Sequence, residues 1–237
     1  MLSPLVAAHW DPREGAPVNR AGDALQLVVD DALPANRSIT VLELATGGGI
    51  VTLTSSRAAS LGLTGAATTT TDHVLHAARR AGLEFDEPDH LRYLPSGDQR
   101  ELLEETTPAN TRQLSEDDAE AFSRLQEAAP AADLDEAFVE LDHWLVFGSF
   151  EDNRLVCVAS MFPWQGTQLA DLGVITLPEH RSRGLGRRTV RAISACALAQ
   201  GYEPQYRCQV DNHASIALAA AAGFVRYGTR HVLESAG

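Results

Sequence analysis

Between Val174 and Arg188 the chain reads VITLPEHRSRGLGRR, a stretch whose residue types suit an anion site. An apolar run ends at Thr176, Pro178 stops it, and a helical pattern starts near Gly184. Arg181, Gly184 and Gly186 lie along the junction. Glycine lets a backbone approach an anion closely. The first turn of a helix offers unpaired N–H groups at the positive end of its dipole. Together these features can cradle a pyrophosphate. Charge agrees. Arg181, Arg183, Arg187, Arg188 and Arg191 fall within residues 181–191 with no acid among them, and the rest of the chain sets the other 14 of 19 basic residues against all 32 acids. A concentrated basic patch in an acidic chain points to one specific anionic ligand. The blander reading is a solvated helix face in which Arg serves as a helix former.

Composition removes several chemistries. All 19 basic residues of the 237 are Arg, with no Lys. A Walker A loop, a pyridoxal-phosphate enzyme and a protein kinase each need a Lys and are excluded in their usual forms. A net charge of −13 argues against general affinity for nucleic acid. Cys157, Cys196 and Cys208 have no C-x-x-C spacing, which fits a reducing, cytoplasmic setting. The first residues lack a basic segment followed by a long apolar run, so no signal peptide is expected. No stretch approaches the roughly 20 apolar residues of a membrane span. His73 and His76 sit at i, i+3 spacing without an identifiable ligand partner, so no metal is expected. G-x-S-x-G is absent, and no G-x-G-x-x-G follows a first strand, which disfavours hydrolase and dinucleotide-dehydrogenase readings.

The elements that must position the anion stretch follow from periodicity. Residues 1–20 read as an irregular lead-in and 21–33 as a helix. Ile39–Ala45 and Ile50–Thr54 read as a hairpin around the glycine turn. Asp72–Arg80 is a helix with a C′ glycine at Gly82, and His90–Leu94 a short strand. Residues 95–111 are a linker or connecting helix. From residue 112 the expected order is β-α-α-β-β-β-α-β-α-β, an α/β layer architecture with a mixed sheet. It includes a helix from Ser115 to about Ala129, a helical stretch at Asp135–Leu141, and strands at Trp144–Phe150, Leu155–Phe162 and Leu169–Leu177. Phe162, Pro163 and Trp164 end a strand, where they can line an acceptor pocket.

R-x-x-G-x-G at Arg181, Gly184 and Gly186, after a strand and opening a helix, resembles motif A of the GCN5-related N-acetyltransferase (GNAT) family. Asn212, Ser215, Leu218, Gly223 and Phe224 in NHASIALAAAAGF resemble a second block of that family, and TRQLSEDDAEAF its usual opening strand and helix. The resemblance covers residues 112–237. It implies a GNAT-type mixed central sheet with helices on both faces, preceded by a smaller α/β region over 1–111. That region is a degenerate half of the same fold or a lid. The resemblance further implies acetyl-CoA as co-substrate and direct transfer of acetyl to an amine, a small molecule first and a protein amine next. A homodimer stays open.

Residue by residue, Val174, Ile175 and Thr176 match the strand end that pairs with the pantetheine arm. Arg181 and the backbone of Ser182, Arg183, Gly184, Leu185, Gly186 and Arg187 match the pyrophosphate loop. Asn212 and Ser215 match positions near the cofactor arm. Two departures stand out: Ala219 replaces a common Tyr acid, and Arg207 replaces a Glu base found in some members. Asp171 is then the candidate base, against a strand-start carboxylate facing solvent, and Tyr227 a spare acid. The missing Tyr and Glu also motivate a different reading, a non-catalytic acyl-CoA-binding sensor or structural protein.

Overall fold

The computed structural model describes residues 1–10 and 22–233. In chain order the regular elements are α1 (Pro4–Trp10), β1 (Leu25–Val29), β2 (Ile39–Leu44), β3 (Gly49–Leu53), α2 (Ser55–Ser60), β4 (Thr68–Thr69), α3 (Thr71–Arg80), β5 (Asp89–Tyr93) and α4 (Ser96–Glu104). They continue as β6 (Thr111–Gln113), α5 (Ala119–Ala128), α6 (Ala131–Ala137), β7 (Leu145–Glu151), β8 (Arg154–Pro163), β9 (Leu169–Thr176), α7 (Leu185–Ala199), β10 (Glu203–Gln209), α8 (His213–Ala222) and β11 (Val225–Val232). From β6 onward this is the order expected from the sequence.

The chain forms two compact units, neither of them continuous. The first holds Met1–Trp10, Arg92–Arg207 and Ala214–Val225; the second holds the described parts of Asp11–Leu91, Cys208–His213 and Arg226–Gly237. The sequence boundary drawn at residue 111 therefore falls inside the first unit.

In the first unit the strand order is β10-β9-β8-β7-β6. β6 through β9 pair antiparallel, and β9 with β10 is parallel. Asp152 and Asn153 turn β7 into β8 with φ of 48° and 62°. Asn and Asp tolerate that left-handed pair better than other residues with a Cβ, which is why the turn was legible. Helices cover both faces. Gly173 of β9 abuts the end of α6. Thr176, three residues on and so on the opposite face, donates to Cys157 Sγ at 3.1 Å. Thr189 of α7 reaches the same sulfur at 3.4 Å. The core joins Phe122 and Leu125 of α5 to Val156, Val158 and Ile175 of the sheet and Leu185 of α7. A buried hydroxyl chain supports it, from Thr111 to Ser149 and from Ser149 to Thr189, each at 2.7 Å.

The second unit is ordered β4-β1-β3-β2-β11. The hairpin β2–β3 is antiparallel as expected. Thr70 caps α3 through its side chain, and Gly82 follows the helix with φ of 72°. Its core is aliphatic: Leu25, Ile39, Val41, Val51, Leu53, Val74 and Leu233.

Three sequence expectations need correction. The helix expected over 21–33 is absent from the described residues of that segment: 25–29 form β1, parallel to β3. A run of four or five apolar residues carries little periodicity, and tertiary pairing decided it. Pro4–Trp10 is helical rather than irregular, anchored by the fully buried Val6. The rest of the expected lead-in, residues 11–20, lies outside the described residues. The second short helix runs Ala131–Ala137, four residues earlier than expected, because Pro130 starts it.

Candidate functional site

Strands β9 and β10 part company partway along. Their parallel register pairs Leu169 with Glu203, Ala170 with Pro204, Asp171 with Gln205 and Leu172 with Tyr206, and then ends. On the other side β9 keeps pairing with β8 through Thr176. Gly173, Val174, Ile175 and Thr176 therefore have a ladder partner on one side only. A strand edge of this kind offers main-chain donors and acceptors to an extended ligand. Val174, Ile175 and Thr176, the three expected positions, all lie on it.

The loop that follows is shaped by two residues with positive φ, Ser182 at 58° and Gly184 at 77°. Gly184 is the N-cap of the 15-residue α7, and no side chain caps that end. The first-turn N–H groups of Leu185, Gly186 and Arg187 have no preceding helical turn to bond. The two glycines serve different ends. A Cβ on Gly184 would meet nothing within 4 Å, so its need is the backbone angle. A Cβ on Gly186 would come 3.2 Å from Leu218 and 3.4 Å from Thr176, so its need is the close packing of α7 against α8 and β9.

The arginines divide. Arg181 donates to the Thr176 carbonyl at 3.0 Å and to Asp133 at 2.5 Å. Arg183 pairs with Glu151 at 2.7 Å. Glu151 also accepts from His180 at 2.6 Å when that imidazole carries its Nδ1 proton. Arg191 is taken by Glu105 and the Ala222 carbonyl. Arg187 and Arg188 stand exposed on the first turn of α7. The electropositive end is thus made mainly by backbone N–H groups and these two side chains.

Asp171 lies at the last paired step but one. It is 5% exposed, not a solvent-facing carboxylate. Gln205 Nε2 donates to its Oδ1 at 2.9 Å, and Arg207 Nη2 to its Oδ2 at 3.0 Å. Arg207, at the position where some relatives of the motif carry a Glu, is therefore the counter-ion of Asp171. The network continues: Tyr93 donates to Gln205 Oε1 at 2.5 Å, and Trp10 donates to the Tyr93 hydroxyl at 2.7 Å. Sequence spacing could not reveal this chain, whose directly bonded members lie up to 112 residues apart.

Ser215 on α8 hydrogen-bonds the Tyr206 hydroxyl at 3.0 Å, and Ala219, one turn on, is fully buried. Asn212, in the turn before α8, and Tyr227, half-buried on β11, belong to the second unit. On the face of β9 away from α7 lies His143, which the sequence did not single out. Its ring lies 4.9 Å from that of Phe162 and 5.4 Å from that of Phe138. Burial pushes its pKa below the ordinary value, against the pull of Asp142 and Glu140. A lone His in a loop gives no spacing signal. Trp164, also expected near the acceptor, is buried against Trp10 and His9 instead.

A strand edge ending in an uncapped, glycine-shaped helix start meets the one comparison that decides family. Residues 108–224 match the model of the acetyltransferase (GNAT) family. Residues 108–224 are a GNAT domain. Solved structures resemble the chain at lower levels. A GNAT-family protein from Novosphingobium aromaticivorans is 23% identical over 66% of this chain and 69% of its own, with a TM-score of 0.47. A GNAT-family acetyltransferase from Colwellia psychrerythraea is 18% identical over 63% of this chain and 57% of its own, with a TM-score of 0.48. An aminoglycoside N-acetyltransferase in complex with CoA is 22% identical over 48% of this chain and 90% of its own, with a TM-score of 0.39. No curated protein matches the chain. The GNAT family uses acyl-CoA, and the open strand edge and uncapped α7 fit such a donor. Among the described residues no cluster of His, Cys, Asp and Glu could hold a metal ion, and no helix is long and apolar enough to cross a membrane.

Proposed function

We propose that this GNAT domain moves an acetyl group from acetyl-CoA directly to the amine of a small molecule. The end of the β9–β10 ladder at Leu172 and Tyr206 carries the reading, because it opens a strand edge that leads into the helix start. In this reading Val174, Ile175 and Thr176 take the pantetheine arm by main-chain bonds. The N–H groups from Ser182 to Arg187 take the pyrophosphate, with Arg187 and Arg188 adding charge. Ser215, on α8 of the same unit, contacts the cofactor arm. A main-chain N–H near Val174 supports the oxyanion that forms as the amine attacks. Asp171, held by Arg207, places a carboxylate beside the reacting centre, and the chain's net charge of −13 favours a cationic acceptor over a nucleic acid. The free cysteines support work in a reducing cytoplasm.

Calorimetry with acetyl-CoA and a thiol-release assay over an amine panel test the proposal. Binding together with amine-dependent release supports it, and absence of binding ends it. Ala219, buried where a Tyr acid is common, favours one rival: an acyl-CoA-binding protein without turnover. Tight acetyl-CoA binding with no release above hydrolysis for any amine would establish that rival instead.

A further inference from the structure

Three rings meet on the face of β9 that turns away from α7. Phe138 and Phe162 lie edge to face with centroids 5.9 Å apart, and His143 touches both. Their place is fixed by register. Phe162 lies opposite Asp171, and Ser160 opposite Gly173, across the β8–β9 ladder. His143 Nδ1 shares a 2.8 Å hydrogen bond with Ser160 Oγ. The imidazole therefore stands beside the step at which β9 loses β10 as a neighbour. Gly173 makes the cluster sterically feasible. A Cβ there would fall 1.9 Å from the Ala137 carbonyl oxygen and 3.3 Å from that of Phe138, so the corner after α6 rests directly on the strand. Phe138 takes φ of 45° and is 59% exposed. A bulky aromatic held in left-handed backbone and left open to solvent is not serving the core.

We infer that Phe138, His143 and Phe162 form the seat of the acceptor, an amine borne on an aromatic or apolar group, and that His143 takes the proton its ammonium must lose. The inference rests on the acetyl-transfer reading above. Aromatic faces attract an ammonium and also pack its apolar carrier. The charged groups around the seat are Glu140 and Asp142 on the loop of His143, and Asp171 with its partner Arg207 on the strands. A net negative setting draws the cation, while burial keeps the imidazole ready to accept a proton. With Nδ1 donating to Ser160, Nε2 is the accepting nitrogen. It takes one proton from the ammonium. The freed lone pair attacks the thioester carbonyl carbon, and the carbon–sulfur bond breaks. The second proton on the attacking nitrogen ends on the thiolate, giving the amide and free CoA thiol. The imidazolium then returns its proton to water. The step needs no separate acid, consistent with Ala219 in place of a Tyr.

The test uses the full chain, with acetyl-CoA affinity by calorimetry and thiol release with 2-phenylethylamine and putrescine. His143→Gln keeps a polar amide in place of the imidazole but cannot take the proton. We expect kcat to fall about 100-fold, the acid limb of the pH–rate profile to vanish, and acetyl-CoA affinity to hold. Phe138→Ala, at an exposed position, should raise KM for 2-phenylethylamine about tenfold and leave that for putrescine nearly unchanged. A His143→Gln enzyme with wild-type kcat and an intact acid limb overturns the proton role. Equal KM changes for the two amines overturn the seat. In both cases wild-type binding and turnover leave the transfer reading standing. A wild-type chain that does not bind acetyl-CoA overturns both together.

Discussion

The two halves of strand β9 are built of different materials for the work proposed for them. Toward Thr176 the strand runs into a site made of main chain: an unpaired edge, two left-handed residues and an uncapped helix start. Toward Asp171 it carries a site made of side chains: a carboxylate, its guanidinium partner, an imidazole and two rings. The first half demands particular backbone angles, so a few glycines at fixed spacing announce it. The second demands only that distant side chains meet, and many sequences can arrange that. Backbone sites write a local signature, and side-chain sites do not.

The largest effect should come from the main-chain half. Gly184→Asp places a carboxylate at the proposed pyrophosphate cradle, where nothing blocks it sterically. Acetyl-CoA affinity measured by calorimetry should fall more than about 100-fold through like-charge repulsion in the site. Gly184→Ala should lose far less, about 1–2 kcal/mol for left-handed backbone. Equal losses in the two variants would mean that angle, not charge, governs the cradle.

Next comes Asp171→Asn in the side-chain half. Turnover should drop about tenfold as the carboxylate beside the reacting centre loses its charge, with acetyl-CoA affinity held within about twofold. A matching loss of affinity would join the two halves into one site and break the comparison. Gly173→Ala probes the contact that seats Phe138. Its new Cβ would overlap the Ala137 carbonyl, so acceptor KM should rise and thermal stability drop by about 1–3 kcal/mol. An unchanged KM would show that the α6 corner is free to move without consequence for the acceptor.

Protonation gives a smaller effect. His143 in the first unit and His231 in the second are both held below the ordinary imidazole pKa by burial. The unfolded chain binds more protons than the folded one just below that ordinary value. Their contribution is therefore present above it and is lost as pH falls through the lowered folded values. Chemical denaturation at stepped pH should show stability declining on acidification through this range, less so in His143→Gln. Smallest is Glu151→Gln, which loosens Arg183 and His180 on the loop. Half-exposed pairs of this type contribute about 0.2–1 kcal/mol, so the melting temperature should barely move. A large drop would show that these charges, not the backbone, hold the loop in shape.

What could be read from the sequence follows the same division. Gly184 and Gly186 announced the helix start because few other residues serve there. Asp152–Asn153 announced the β7–β8 turn for a similar reason. Asp171 was singled out, but not Arg207 as its partner nor Gln205, Tyr93 and Trp10 behind it, since pairing between strands leaves no mark on local spacing. His143 was missed because its value comes from Ser160 and Phe162 on another strand. The helix expected at 21–33 failed because Leu25, Val28 and Val29 suit either period, and pairing with β3 settled the matter.

The pairing of β11 with β2, Gly228 opposite Leu44 through Val232 opposite Thr40, has a consequence for biosynthesis. One edge of the second unit's sheet is completed by residues that leave the ribosome long after the strand they join. At about 5–20 residues per second, β2 waits roughly 10–40 s for its partner. During that interval its main-chain groups form an exposed edge open to other nascent chains. Slowing translation between the two segments should lengthen the interval and lower the yield of native protein.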